Sequence, residues 1–297
     1  MDRLEEKKKC LSAVRRIIVH PGLAHVDDIM ACATAYAFGV PHDATIERRR
    51  PEQSDLDDPR ILVLDVGFAH NPELLNFDHH QRTREESPKC SFVLLAEWLG
   101  VDAEMRMLFP WYDMWNSIDT LGPFATALSI GTTGERIAGL VGNPLAEWVI
   151  RHFADDPAFR QKAALGLGKE IDKTRRCWKL LREKASSFDV DGVPVADFRD
   201  CGADEISRCS DVWIRIHSPA CLVSNDNRGT GLTFLRCNDD PRLDFHRCAG
   251  KDYVLFAHPA GFVLKTRARA DNPERILRDA FTAAMAPARN GHKRNMV

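Results

Sequence analysis

The chain has 297 residues, with 41 Lys plus Arg against 43 Asp plus Glu, 44% hydrophobic and 28% charged residues. That balance excludes a disordered or collagen-like chain, and a net charge of −2 lacks the basic excess usual in proteins that grip long duplexes, so it favours small or short substrates. No apolar run reaches the ~18 residues of a membrane span, the charged start Met1–Cys10 has no apolar signal block, and nine scattered cysteines form no C-x-x-C pair; the expectation is a cytoplasmic protein with reduced thiols and no membrane partner.

In chain order, Val14–Val19 reads as a short strand that runs into the polar loop His20-Pro21-Gly22-Leu23-Ala24-His25. Val26–Phe38 follows as a helix rich in Ala and Met, with Asp27 and Asp28 in its first turn, where carboxylates complement the helix dipole. Ile61–Gly67 is a near-continuous apolar run ending beside Asp65, as expected of a strand buried on both faces of a parallel sheet. Asp78-His79-His80 comes next, and Cys90–Leu99 reads as a buried helix. Strands alternating with helices imply an α/β fold with crossover connections.

From Asn143 the pattern is helical, first from Pro144 and then over Phe159–Phe188. Beyond it the texture changes to short β-prone runs, Phe188–Val190, Val193–Phe198, Val212–Ile216, Cys221–Ser224, Gly231–Arg236 and Tyr253–Ala257, closed by a helix over Pro273–Ala284. Two domains are expected, residues 1–186 with a parallel sheet and helical connector, and residues 187–297 as a smaller α+β unit.

Acids and histidines stand at the ends of the apolar strands: His20, His25 and Asp27, then Asp65, then Asp78-His79-His80. In an open parallel sheet such strand ends share one crevice. Carboxylates gathered there repel one another unless a cation sits among them, and mixed imidazole and carboxylate ligands suit manganese, iron, cobalt or zinc. A pair of divalent ions that shares a carboxylate would serve phosphoryl chemistry by acidifying an attacking water and clamping the reacting oxygens. Taken singly, each element has an ordinary structural explanation, such as a capped helix start or a satisfied turn acid.

These motifs resemble the DHH phosphoesterase superfamily, whose tripeptide is here Asp78-His79-His80 and whose first motif matches His20, His25 and Asp27, with a His where most members carry an acid. That substitution, Gln81 and the later segment Phe256-Ala257-His258-Pro259-Ala260-Gly261-Phe262 look most like the Myg-type exonuclease branch. The resemblance implies that His20 and His25 hold one metal, that Asp27 and His79 hold the other, and that Asp65 bridges them. It also implies a further acid from a fourth motif, assigned to Asp113 with Asp119 as runner-up; Asn116 stands where the Myg-type pattern has a paired acid. His80 would contact phosphate or donate a proton.

The second half is expected to hold substrate. Lys265, Arg267 and Arg269 alternate and would face phosphates from one side of a strand, though a solvated strand face explains them equally; His258 and Gly261 fall in the family-like segment. Arg228-Gly229-Thr230-Gly231 has no following helix and reads as a hairpin turn. The functional expectation is a hydrolase that uses two divalent ions, manganese first among them, to trim a short or single-stranded oligonucleotide from an end. Alternatives are a small-molecule phosphatase or pyrophosphatase, and a metal-binding interaction protein without turnover; the reading leaves room for a homo-oligomer.

Overall fold

The computed structural model describes residues 3–22, 24–83, 86, 89–133, 144–268 and 272–282. The chain divides into two compact units, Met1–Lys173 and Thr174–Val297.

The first unit runs α1 (Arg3–Ser12), β1 (Arg16–Val19), α2 (Val26–Ala37), β2 (Thr45–Arg48), α3 (Gln53–Leu56), β3 (Ile61–Leu64), β4 (His70–Asn71), β5 (Asn76–Phe77), α4 (Ser91–Leu99), α5 (Asp102–Leu108), α6 (Tyr112–Leu121), α7 (Pro123–Ser129) and α8 (Pro144–Asp155). Its sheet has the order β2-β1-β3-β5-β4, parallel throughout except for the β4–β5 pair. The apolar run at Ile61 lies where a doubly covered strand should lie: Ile61, Leu62, Val63 and Leu64 are all buried, with β1 on one side and β5 on the other. Around the sheet a core assembles from Ile17, Val19, Leu62, Leu64 and Phe77 with α2 and α4, whose Phe92 and Leu95 are fully buried.

The strand ends after Leu64 because Asp65 takes a left-handed backbone conformation, φ 56°, which breaks the β ladder and turns the chain out of the sheet. That break sets a carboxylate at the carboxyl edge, next to the loop that follows β1 and the tripeptide that follows β5.

A long helix, α9 (Pro157–Lys184), contains the division between the units. The second unit continues with β6 (Ser186–Val190), β7 (Val193–Asp197), α10 (Ala203–His217), β8 (Cys221–Asn225), β9 (Leu232–Arg236), β10 (Val254–Ala257), β11 (Val263–Thr266) and α11 (Pro273–Ala280). Its sheet order is β10-β11-β9-β8-β7-β6, antiparallel except for β7–β8. β6 and β7 pair through the turn Asp191-Gly192, and the expected hairpin turn that holds Arg228-Gly229-Thr230 joins β8 to β9.

One expected strand is wrong. Val212–Ile216 lies inside α10, where β-branched residues are overruled by packing: the Trp213 ring sits 5.7 Å from Phe198 and 6.4 Å from Trp178, and Glu205 and Cys209 are buried one helical turn apart. Of the expected closing helix, Pro273–Ala280 is helical and Ala283 and Ala284 lie outside the described residues. All nine cysteines are free and all but Cys10 are buried. No described helix is long and apolar enough to cross a membrane.

Candidate metal centre

Four segments of the first unit bring their side chains together: the loop after β1, the first turn of α2, the residue that ends β3, and the tripeptide after β5. Donor atoms of His25, Asp27, Asp28 and Asp65 lie within 4.8 Å of one another, as do those of His20, His25 and Asp28, and those of Asp65, Asp78, His79 and His80. Asp65 belongs to two of these groups and stands between them.

Asp27 is buried, and neither of its carboxylate oxygens has a hydrogen-bond partner. Burial pushes this carboxyl well above the usual range, and the neighbouring charges of Asp65, Asp119 and Asp28 push it further. Asp65 is raised as well, chiefly by burial, although the adjacent His79 pulls it back. A buried acid with two unpartnered oxygens costs free energy that the fold alone does not recover. A divalent cation would satisfy those lone pairs and offset the repulsion in one step.

His79 is held between two carboxylates, Nε2 lying 3.2 Å from Asp65 Oδ1 and 2.9 Å from Asp119 Oδ2. Burial depresses its pKa, but Asp119 and Asp65 outweigh that and raise it to about 10. His25 Nδ1 lies 3.8 Å from Asp119 Oδ1.

Other residues orient the donors. His20 Nδ1 lies 3.1 Å from Asp28 Oδ2, and the Asp28 carboxylate also accepts the His25 backbone N–H at 3.0 Å. This fixes the His20 ring through one nitrogen and frees the other to point away, the usual way a ligating imidazole is held; Asp28 also raises the His20 pKa. Asp78 plays the same part for the tripeptide. Its carboxylate accepts the backbone N–H groups of Phe68 at 2.7 Å, His79 at 2.6 Å and His80 at 3.1 Å, and meets His80 Nδ1 at 2.7 Å. Burial pushes Asp78 up, but the bonds from the His80 ring and from the His80 and Phe68 amides prevail and hold it below the usual carboxylate range. The His80 ring itself is 48% exposed.

The two acids of α6 offered for the fourth position are placed differently. Asp113 is 54% exposed and pairs with Arg106, away from the cluster, whereas Asp119 is the acid of α6 that reaches His79 and His25. On a 3.6-residue period the two positions lie about 120° apart around the helix, so only one can face the sheet edge. Asn116, on the inner side, accepts the Cys90 N–H at 2.9 Å and so ties α6 to the start of α4. In the sequence Asp28 stands out only as a helix-dipole acid; its position three residues after His25, the N-cap of α2, is the capping-box signature that could have revealed its link to the loop.

No thiolate competes for this site: the nearby Cys32 and Cys90 are fully buried, and desolvation pushes both thiols up. The donor set of imidazoles and carboxylates therefore fits a borderline or hard divalent cation such as manganese.

In the second unit, Lys265 on β11 pairs with the buried Asp226 at 2.6 Å on the wall of a cavity of about 480 Å³. Arg267 lies just past that strand and donates from Nε to the Asp252 carbonyl at 3.1 Å. The His258 ring packs 4.1 Å from that of Phe262 and accepts the Ala260 N–H. Gly261 is required by its own neighbourhood, since at φ 70° a Cβ would fall 2.0 Å from Asp244 Oδ1. Arg269 lies outside the described residues.

Residues 16–94 match the family MYG1_exonuc, described as Uncharacterised protein family (UPF0160). The chain is 41% identical over 78 residues to the MYG1 exonuclease of Rattus norvegicus and 38% identical over 78 residues to that of Homo sapiens, in each case 26% of this chain and 20% of the relative. It thus spans about a fifth of the length of the curated relatives it matches. Among solved structures it is similar to a pGpG-specific phosphodiesterase, PggH, from Vibrio cholerae, with 10% identity, a TM-score of 0.29, and 93% of this chain and 98% of that chain covered. It is also similar to RecJ from Thermus thermophilus in complex with Mg2+, with 15% identity, a TM-score of 0.29, and coverage of 90% and 50%. The Myg-type resemblance drawn from the motifs is borne out over the segment that holds His20, His25, Asp27, Asp65 and the tripeptide.

Proposed function

From a chain whose residues 16–94 carry the MYG1_exonuc signature, we propose a metal-dependent phosphoester hydrolase, an exonuclease or phosphodiesterase acting on short or single-stranded oligonucleotides. The observation that carries this reading is the buried Asp27 carboxylate with two unpartnered oxygens, grouped with Asp65, which in turn shares His79 with Asp119. His20 and His25 would hold one divalent ion, Asp27, His79 and Asp119 a second, and Asp65 would serve both. Manganese matches the donor chemistry.

Bound divalent ions supply Lewis acidity at phosphorus and lower the pKa of water. The chain's own residues do the rest. Asp28 holds His20, and Asp78 holds His79 and His80, so the donors are preorganised before substrate arrives. His80, the most exposed of the set, is placed to meet a phosphoryl oxygen; Asp78 on its Nδ1 raises its pKa and favours the protonated ring that donates to an anion. The burial of Asp27 and Asp65 keeps bulk water from screening these charges.

The test is hydrolysis of a single-stranded pentanucleotide, a dinucleotide and inorganic pyrophosphate, with and without manganese. The proposal expects manganese-dependent release of mononucleotides from the first two. Cleavage of pyrophosphate alone would make it a small-molecule phosphatase, and stoichiometric manganese binding without turnover of any of the three would make it a metal-binding interaction protein.

A further inference from the structure

Phe68 is a large aromatic side chain left 73% exposed, directly after the loop that carries Asp65. It is also held in left-handed backbone geometry, φ 54°, which a bulky side chain rarely adopts. The strain is not accidental slack: the Phe68 N–H is donated to Asp78 Oδ2 at 2.7 Å, and Gly67, at φ 102°, is packed so closely that a Cβ would meet Pro51 Cγ at 2.9 Å. The same carboxylate that orients His80 therefore fixes the Phe68 backbone. A strained residue pinned by the machinery of a site, with its apolar ring left in water, points to a ligand that covers the ring.

The surroundings say which ligand. Phe68 lines a cavity of about 220 Å³ together with His20, Pro21, Arg50, Asp65 and His80. Its ring centroid lies 6.1 Å from that of His80 at 61°, an edge-to-face arrangement of the two rings. Arg50 is exposed on the same wall, and among the described residues no carboxylate pairs with its guanidinium. The cavity is smaller than the ~300–1,000 Å³ of a typical drug-sized ligand site, which suits one planar ring beside a phosphate and not a folded chain. Nucleobases stack on exposed aromatic faces with little regard to sequence, and arginine takes phosphate oxygens.

We propose that Phe68 is the stacking platform for the nucleobase next to the reacting phosphate, with Arg50 binding an oxygen of that nucleotide unit, so that this wall selects nucleotides over other phosphoesters. The proposal rests on the phosphoesterase reading given above and names the part of the substrate that reading leaves open.

The experiment compares adenosine monophosphate with ribose 5-phosphate for binding to the manganese-loaded full chain. The two share sugar and phosphate and differ in the base. The unaltered chain is expected to bind the nucleotide about 5- to 150-fold more tightly, the span of a single base–aromatic stack. Phe68→Ala should remove that preference and leave ribose 5-phosphate affinity unchanged, while Phe68→Trp should keep it; the exposed position makes both variants compatible with folding. Equal affinity of the unaltered chain for the two probes overturns the stacking platform alone, as does a preference that survives Phe68→Ala. Failure of both probes to bind overturns the phosphoesterase reading and the platform with it.

Discussion

His79 Nε2 lies 2.9 Å from Asp119 Oδ2, yet neither buried atom makes an aligned hydrogen bond with any partner. The proposed second ion would take both atoms as ligands. That relationship separates the two candidate acids of α6. Asp119→Asn should weaken manganese binding strongly, whereas Asp113→Asn should leave it within about twofold, because Asp113 is an exposed partner of Arg106 whose loss costs little. Isothermal titration of each variant checks the pair, and equal losses in both would refute the assignment.

Ligands and proton donors should respond differently to truncation. Asp65→Ala removes the carboxylate common to two donor groups and should abolish stoichiometric metal uptake. His80→Ala should spare uptake and slow turnover by about 10²–10⁴-fold, the usual contribution of a positioned acid or base. Metal content and kcat measured on the same preparations decide; equal metal loss in both variants would contradict the division of roles.

Asp28 acts through His20 and the His25 backbone, so Asp28→Asn should lower metal affinity about 10- to 100-fold, as other partners of ligating imidazoles do. The loss should appear as a shifted titration midpoint with unchanged stoichiometry.

Protonation opposes the metal. Asp27 and Asp65 are raised and His79 is raised to about 10, so at neutral pH the metal-free cluster carries protons that a cation must displace. Manganese affinity should therefore fall as the pH is lowered, with proton release visible as a dependence of the binding enthalpy on buffer. For the metal-free protein the sign is reversed. A His79 pKa above its ordinary 6.5 contributes stability that is complete below 6.5 and lost as the pH rises through about 10. Thermal melts across that window should show the metal-free form losing stability while added manganese restores it.

Relieving the crowded charge should also reveal the cost of the site. Asp27→Asn should make the metal-free protein more stable; a gain of about 1 kcal/mol would lift Tm by roughly 2–4 °C. The same change should erase the Tm increase that manganese is expected to give the unaltered chain. A lower metal-free Tm would show that Asp27 supports the fold directly.

The sheet edge was legible because β1 and β3 are apolar runs that end beside acids and imidazoles, a pattern carried by neighbouring residues. What separates Asp119 from Asp113 is which face of α6 meets α2 and α4, and that is fixed by packing far along the chain. Val212–Ile216 misled for a similar reason: a β-branched run takes the helical form because Trp213 packs against Phe198. The anchoring roles of Asp28 and Asp78 are invisible in composition, because they consist of contacts to backbone amides and to the His20 and His80 rings that exist only once the loops are folded.

The most direct measurement is diffraction from manganese-soaked crystals at the manganese absorption edge. Two anomalous peaks are expected, one among His20, His25 and Asp65 and one among Asp27, Asp65, His79 and Asp119. Saturating manganese that leaves no peak within reach of the Asp27 carboxylate would contradict that expectation.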